Sequence, residues 1–169
     1  GLLLCNRDPT PILEGGTGSE SLKQSMPQFL PDRLEAGTHN IAGVAGLLEG
    51  LRFLRRRDVR WIAGHESRLI QRMGNGLSRL PGVEVFQASM PKAQSGVLSF
   101  RIKGRDCEDV GEALGDRGFA LRAGLHCAPE AHRTAGTLET GTVRASVSAF
   151  NTEMEIDRFL RAIGDMVRR

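Results

Sequence analysis

A thiol stands beside an imidazole in the stretch Leu121-Arg122-Ala123-Gly124-Leu125-His126-Cys127-Ala128-Pro129-Glu130-Ala131-His132. Glycine and proline punctuate it and β-type runs flank it, so it reads as a loop whose side chains reach solvent from a rigid frame. A thiol at neutral pH reacts as its thiolate, and a cationic Arg122 or His126 beside Cys127 favours that form. A second reading stays open, with Cys127 as a small buried filler. His126, Cys127 and His132 also fall within seven residues. Adjacent side chains on an extended loop point apart and no fourth soft ligand has a paired spacing, so no metal site is expected. Downstream, Gly141-Thr142-Val143-Arg144-Ala145-Ser146 places an arginine in a run of small and apolar strand residues. An unpaired guanidinium is costly there, and its planar fork suits a carboxylate, internal or from a ligand.

A second anion candidate lies upstream. Arg33-Leu34-Glu35-Ala36-Gly37-Thr38-His39-Asn40 ends at a predicted helix start, where backbone N–H groups and the helix dipole favour negative charge. Thr38 and Asn40 can hold a phosphate there, or Asn40 can simply cap the helix. Gly15-Gly16-Thr17-Gly18-Ser19 is neither a P-loop nor a dinucleotide fingerprint, and the sequence has no G-K-[ST] and no G-x-S-x-G. No carboxylate pair suggests glycosidase or aspartic chemistry.

These residues need elements to hold them. Gly1 to Cys5 reads as the end of a buried strand, and 15 to 40 as a long segment with little regular structure. Such a loop inside a compact domain points to an interface or a site. Val44, Leu47, Leu48, Leu51 and Leu54 recur at helical spacing and predict a helix from Ile41 to Arg57. A second helix is expected from Val59 to Leu80, closed by Pro81-Gly82. Val83 to Phe86 and Gly96 to Ile102 read as strands, the latter alternating Leu98, Phe100 and Ile102 against Val97, Ser99 and Arg101. Asp106 caps a helix to about Arg117, Phe119 to Arg122 and Thr142 to Val147 read as strands, and Thr152 caps a last helix through Val167. This order predicts an α+β fold, a small, mostly antiparallel sheet with helices on one side.

Composition narrows the class. The 169 residues are 40% hydrophobic and 25% charged, ordinary globular values, and no apolar run is long enough to span a bilayer. No membrane association is expected. Net charge is +3, basic residues alternate with acidic ones, and aromatics are 5% with no Tyr, so no nucleic-acid partner is expected. Cys5, Cys107 and Cys127 form no C-x-x-C pair, and an odd count suits a reducing, cytoplasmic setting. The start lacks a basic n-region and an initiator Met, which reads as neither a signal peptide nor a natural beginning.

Five blocks in this order resemble the cysteine desulfurase branch of the class V aminotransferases, enzymes dependent on pyridoxal 5'-phosphate (PLP). They are the glycine-rich 15 to 19, Arg-Leu-Glu-Ala-Gly-Thr-His-Asn at 33 to 40, Arg-Ala-Gly-Leu-His-Cys-Ala-Pro at 122 to 129, Gly-Thr-Val-Arg at 141 to 144 and Phe-Asn-Thr at 150 to 152. The resemblance implies that Cys127 takes sulfur from L-cysteine as a persulfide, releasing L-alanine, and that Arg144 holds the substrate carboxylate. It implies that Thr38 binds the PLP phosphate of a neighbouring subunit in a homodimer, and that Arg122 and His126 are substrate-site residues. A sulfur-acceptor protein is an implied partner. The 17-residue interval from Cys127 to Arg144 is similar to desulfurases with a short, ordered cysteine loop. The family's PLP lysine sits in a Ser/His-Lys motif, and none of Lys23, Lys92 or Lys103 has that context. The expectation is therefore the C-terminal part of such an enzyme, inactive alone, with residues 1–54 a terminal segment of the large domain and 55–169 the small domain. Selenocysteine lyase, a class V aminotransferase without need of Cys127, and a non-catalytic dimerisation module remain alternatives.

Overall fold

A computed structural model describes residues 2–20 and 22–168. The chain divides into two compact units, Gly1–Arg57 and Asp58–Arg169. In the first, the regular structure is a 3-10 turn at Asp32–Leu34 and helix α1, Ile41–Arg57. Asn40 caps α1, its side-chain oxygen accepting the Gly43 N–H at 2.8 Å. The predicted apolar stripe is present, yet no residue of α1 is buried and Val44 is 59% exposed. The expected strand at Gly1 to Cys5 is not found. Residue 1 lies outside the described residues, and Leu2 to Leu4 are 69 to 85% exposed without strand pairing. A strand end needs a neighbouring ladder for its N–H and C=O groups, and among the described residues none pairs with this one.

The second unit carries helix α2 (Val59–Leu77), strands β1 (Val83–Phe86) and β2 (Val97–Ile102), helix α3 (Cys107–Gly115), strand β3 (Arg122–Gly124), helix α4 (Pro129–Ala135), strand β4 (Thr142–Ser146) and helix α5 (Glu153–Val167). The α+β expectation holds. The four strands form one antiparallel sheet in the order β1-β2-β4-β3. Period-two alternation splits the faces: Leu98, Phe100, Val143 and Ala145 are buried with Leu69, Ile70, Met73 and Leu77 of α2, Val110 and Leu114 of α3, and Ile156 and Ile163 of α5. Phe159 of α5 meets Phe100 and Phe119 edge-on, with ring centroids 5.8 and 5.5 Å apart. Thr152 caps α5 in a capping box with Glu155. The opposite face, carrying Ser99, Arg101, Thr142, Arg144 and Arg122, lies outside that core.

Three boundaries move for local reasons. Helix α2 ends at Leu77, because Leu80 continues the apolar stripe from a turn that leads to Gly82 at φ 75°. Helix α3 ends at Gly115, and Gly118 at φ 83° lets the Phe119 N–H reach back to the Leu114 carbonyl at 3.0 Å. Phe119 thus serves the helix end and the aromatic cluster, and β3 begins at Arg122 rather than Phe119. Helix α4 falls in the stretch expected to be loop. Its seven residues are too few for a periodic stripe, and its sequence signal is Pro129 at the start with Gly136 at φ 66° after the end.

Candidate active site

Strands β3 and β4 hold both ends of the loop that contains the thiol. Gly124 pairs with Thr142 and Arg122 with Arg144, so the excursion 125–141 starts and finishes side by side. Its base is closely packed: a Cβ at Gly141, which has φ 59°, meets the Cys107 sulfur at 2.7 Å and the Gly124 Cα at 3.1 Å. Burial pushes the Cys107 thiol up from its ordinary value, while a hydrogen bond from Gly124 offsets part of this. Cys107 is a structural thiol under the loop.

The loop opens with a tight turn, the Ala128 N–H donating to the Leu125 carbonyl at 2.9 Å. His126 and Cys127 are its central residues, at φ 54° and 58°. Positive φ at both central positions defines a type I′ turn, which usually takes Asn or Gly. The turn leaves Cys127 exposed, against the reading of it as buried filler. An L-residue in this region costs about 1–2 kcal/mol, a penalty glycine avoids. Cys127→Gly is therefore expected to be about 1 kcal/mol more stable than Cys127→Ala in urea unfolding, the reverse of their order where φ is negative. An Ala variant equal to or above the Gly variant contradicts the strained turn.

His126 is held by its ring. Nε2 lies 3.1 Å from the Thr142 carbonyl oxygen and 3.3 Å from its hydroxyl, so the ring donates from Nε2 to the carbonyl. Burial, then the neighbouring Arg144, pushes this imidazole below the ordinary histidine range, and the Thr142 carbonyl only partly offsets them. Against the expectation of His126 as a cation beside the thiol, its burial and the guanidinium groups it faces disfavour the charged form.

Those groups form the other half of the site. Arg122 and Arg144 are directly opposite each other on β3 and β4, and Ser99 of β2 is opposite Arg144 on its other side. Like charges placed opposite are destabilising. Arg101, on the same face, is neutralised by Glu84 at 2.7 Å. Among the described residues no carboxylate comes within ion-pair distance of Arg122 or Arg144. The Arg144 Nε is buried without a hydrogen-bond partner. A buried, unsatisfied donor beside a second unpaired guanidinium can take an anion with two acceptor atoms, such as a carboxylate.

Thr38 belongs to the first unit. It is exposed, in a hollow lined by Glu35, Gly37, His39, Asn40 and Gly43. The Gly37 N–H donates to the Gly16 carbonyl at 2.8 Å, which ties the glycine-rich segment to this one. Asn40, not Thr38, performs the capping of α1. Among the described residues no three His, Cys, Asp or Glu side chains converge on a metal position, and no helix is long and apolar enough to cross a membrane. Sequence reasoning weighed His132 only in a metal site that it did not expect; it is buried beside His126, with ring centroids 5.8 Å apart.

Residues 3–159 match the family described as Aminotransferase class-V, and the chain belongs to that family. Its similarity within the family is to cysteine desulfurases. The chain is 43% identical over 157 residues to a probable cysteine desulfurase of Mycolicibacterium paratuberculosis, covering 91% of this chain and 22% of that protein. It is 35% identical to the cysteine desulfurase CsdA of Escherichia coli, covering 80% of this chain and 32% of the relative. The apo cysteine desulfurase of Thermococcus onnurineus superposes with a TM-score of 0.79 at 32% identity, over 94% of this chain and 39% of the other. CsdA in its S-sulfonic acid form gives 0.74 at 30% identity, over 94% and 38%. The chain thus spans about a fifth to two fifths of the length of these relatives.

Proposed function

We propose that this chain is the C-terminal portion of a PLP-dependent cysteine desulfurase, a homodimer that moves sulfur from L-cysteine onto Cys127 and releases L-alanine. The observation that carries the reading is the Arg144 Nε, buried and unpartnered next to Arg122, on the strand pair whose loop exposes Cys127. In this reading Arg144 takes the substrate carboxylate through its planar fork, and Arg122 adds positive charge to the same pocket. The Cys127 thiolate forms a sulfur–sulfur bond to the substrate as the carbon–sulfur bond breaks. The electron pair of that bond stays with carbon, which takes up a proton to become alanine. The persulfide then passes to an acceptor protein from an exposed turn. His126, fixed to Thr142 with its charged form disfavoured, helps shape the site.

Arg144 and Cys127 fit the substrate side of a PLP centre, and Thr38, on the other unit, would hold the phosphate of a neighbouring subunit's cofactor. PLP, when bound, supplies the electron sink for bond changes at the amino acid. In this reading the covalent lysine comes from outside this chain, since Lys23, Lys92 and Lys103 follow Leu22, Pro91 and Ile102 rather than Ser or His. Residues 1–54 then serve as the terminal segment of the large domain and 55–169 as the small domain, which supports an assignment of no turnover for this chain alone. The exposed apolar face of α1 is consistent with a segment that packs against more protein. Mixing the chain with PLP and reducing with borohydride is expected to give only substoichiometric, scattered adducts. One stoichiometric adduct at Lys23, Lys92 or Lys103 overturns the assignment.

A further inference from the structure

Two buried polar side chains lie under the Cys127 turn, and the sulfur chemistry above gives them no part. His132 is 6% exposed and Thr137 is 1% exposed. Burying such groups costs free energy unless they find each other, and the His132 Nδ1 lies 2.8 Å from the Thr137 hydroxyl. Thr137 also joins the loop's two halves. Its N–H donates to the His132 carbonyl at 2.9 Å, ending α4, and its carbonyl accepts the Gly141 N–H at 2.8 Å, where β4 begins. His132 is therefore fixed in place and rotation by its ring nitrogen and by the backbone around it.

That ring lies next to the His126 ring, tilted at an interplanar angle of 44° with the centroids 5.8 Å apart. His126 in turn is anchored at Nε2 to the Thr142 carbonyl, an atom that can only accept. The groups facing His126 are Arg144 and Arg122 from the strands and His132 from α4. A Leu and Val pair would fill the same space without a polar group to satisfy. A hydrogen-bonded imidazole there instead supplies a ring of defined orientation.

We propose that His132 is a positioning residue for Cys127: locked by Thr137, it seats the His126 ring against Thr142, and so fixes the turn that presents the thiol. The inference rests on the reading of Cys127 as the sulfur acceptor, since positioning matters only if that thiol reacts. It names no new contact with substrate. His132 acts through His126.

The test is the titration and tautomer of His126, followed by 15N NMR of the imidazoles in the full chain, together with the pH–rate profile of Cys127 alkylation. In the unmodified chain His126 is expected as the Nε2–H tautomer, titrating below the ordinary value of about 6.5. His132→Asn keeps an amide within reach of Thr137 and loses the ring, and His132→Leu keeps only bulk. Both are expected to raise the His126 midpoint toward the ordinary value and to mix its tautomers. Any inflection that His126 gives the Cys127 alkylation profile then moves with that midpoint. Thr137→Val is nearly isosteric, is expected to shift His126 the same way, and serves if the His132 variants do not fold. An unmoved His126 midpoint and tautomer in the folded variants makes His132 a core filler and overturns the proposal. So does an Nδ1–H tautomer of His126 in the unmodified chain, a result that needs no variant. None of these readouts requires turnover, so a failure of sulfide release in the parent enzyme strikes the desulfurase reading and leaves this one to its own test.

Discussion

Replacing Cys127 with alanine in the full-length parent enzyme is expected to lower sulfide release from L-cysteine by on the order of a thousandfold or more, the scale on which loss of a covalent nucleophile is felt. In the proposed reading the substrate carboxylate is held by Arg144 and not by the thiol, so binding of L-cysteine should persist. Binding and turnover would then separate, which an unfolded variant cannot imitate. The exposed, strained turn at His126 and Cys127 makes the argument specific to this thiol. Cys107 is buried with a raised thiol, and its replacement should leave the chemistry in place. Full sulfide release by Cys127→Ala would point to an aminotransferase-like lyase that does not use the thiol.

The second large effect is expected at Arg144. Lysine keeps the charge and loses the fork, so Arg144→Lys should weaken amino-acid binding by about 1.5–3 kcal/mol, the range for a hydrogen bond to a charged group. That corresponds to roughly 10- to 150-fold in KM, with a smaller change in kcat. A companion measurement on this chain tests whether the arginine is there for a ligand. Arg144→Leu removes a guanidinium that stands opposite Arg122 and has a buried Nε without a partner. Its removal should leave stability unchanged or raise it by about 0.2–1 kcal/mol, the cost of a like-charged cross-strand pair. A loss of more than about 1 kcal/mol in urea unfolding would instead mark Arg144 as a structural residue.

Much of this was legible from local chemistry. Asn40, Asp106 and Thr152 announced three helix starts, because a short polar side chain before an apolar run satisfies orphan N–H groups wherever the helix later packs. The alternation of Leu98, Phe100 and Ile102 against Ser99 and Arg101 gave both the inward and the outward row of β2. Misplaced boundaries came where a residue served a partner distant in sequence. Phe119 looked like a strand residue by type and is held by Phe159, 40 positions on. The strand expected at the N-terminus had the composition of a strand and no ladder among the described residues to join.

The site divides the same way. The amino-acid sequence by itself determined which groups are present: a thiol next to an imidazole in a loop, an arginine in an apolar strand and a threonine ahead of a helix. It also determined that their order along the chain is that of a cysteine desulfurase. Only the tertiary structure decided how they act on one another. The β3–β4 register put Arg122 opposite Arg144, Gly124 and Gly141 approach closely at the base of a loop whose first turn takes two positive φ angles, and burial disfavours the charged form of His126 and encloses His132. Period, caps and residue type are properties of a few neighbouring residues and survive in any fold. Register, desolvation and the sign of the nearest charge belong to pairs of segments far apart in sequence, and they exist only once the sheet has closed.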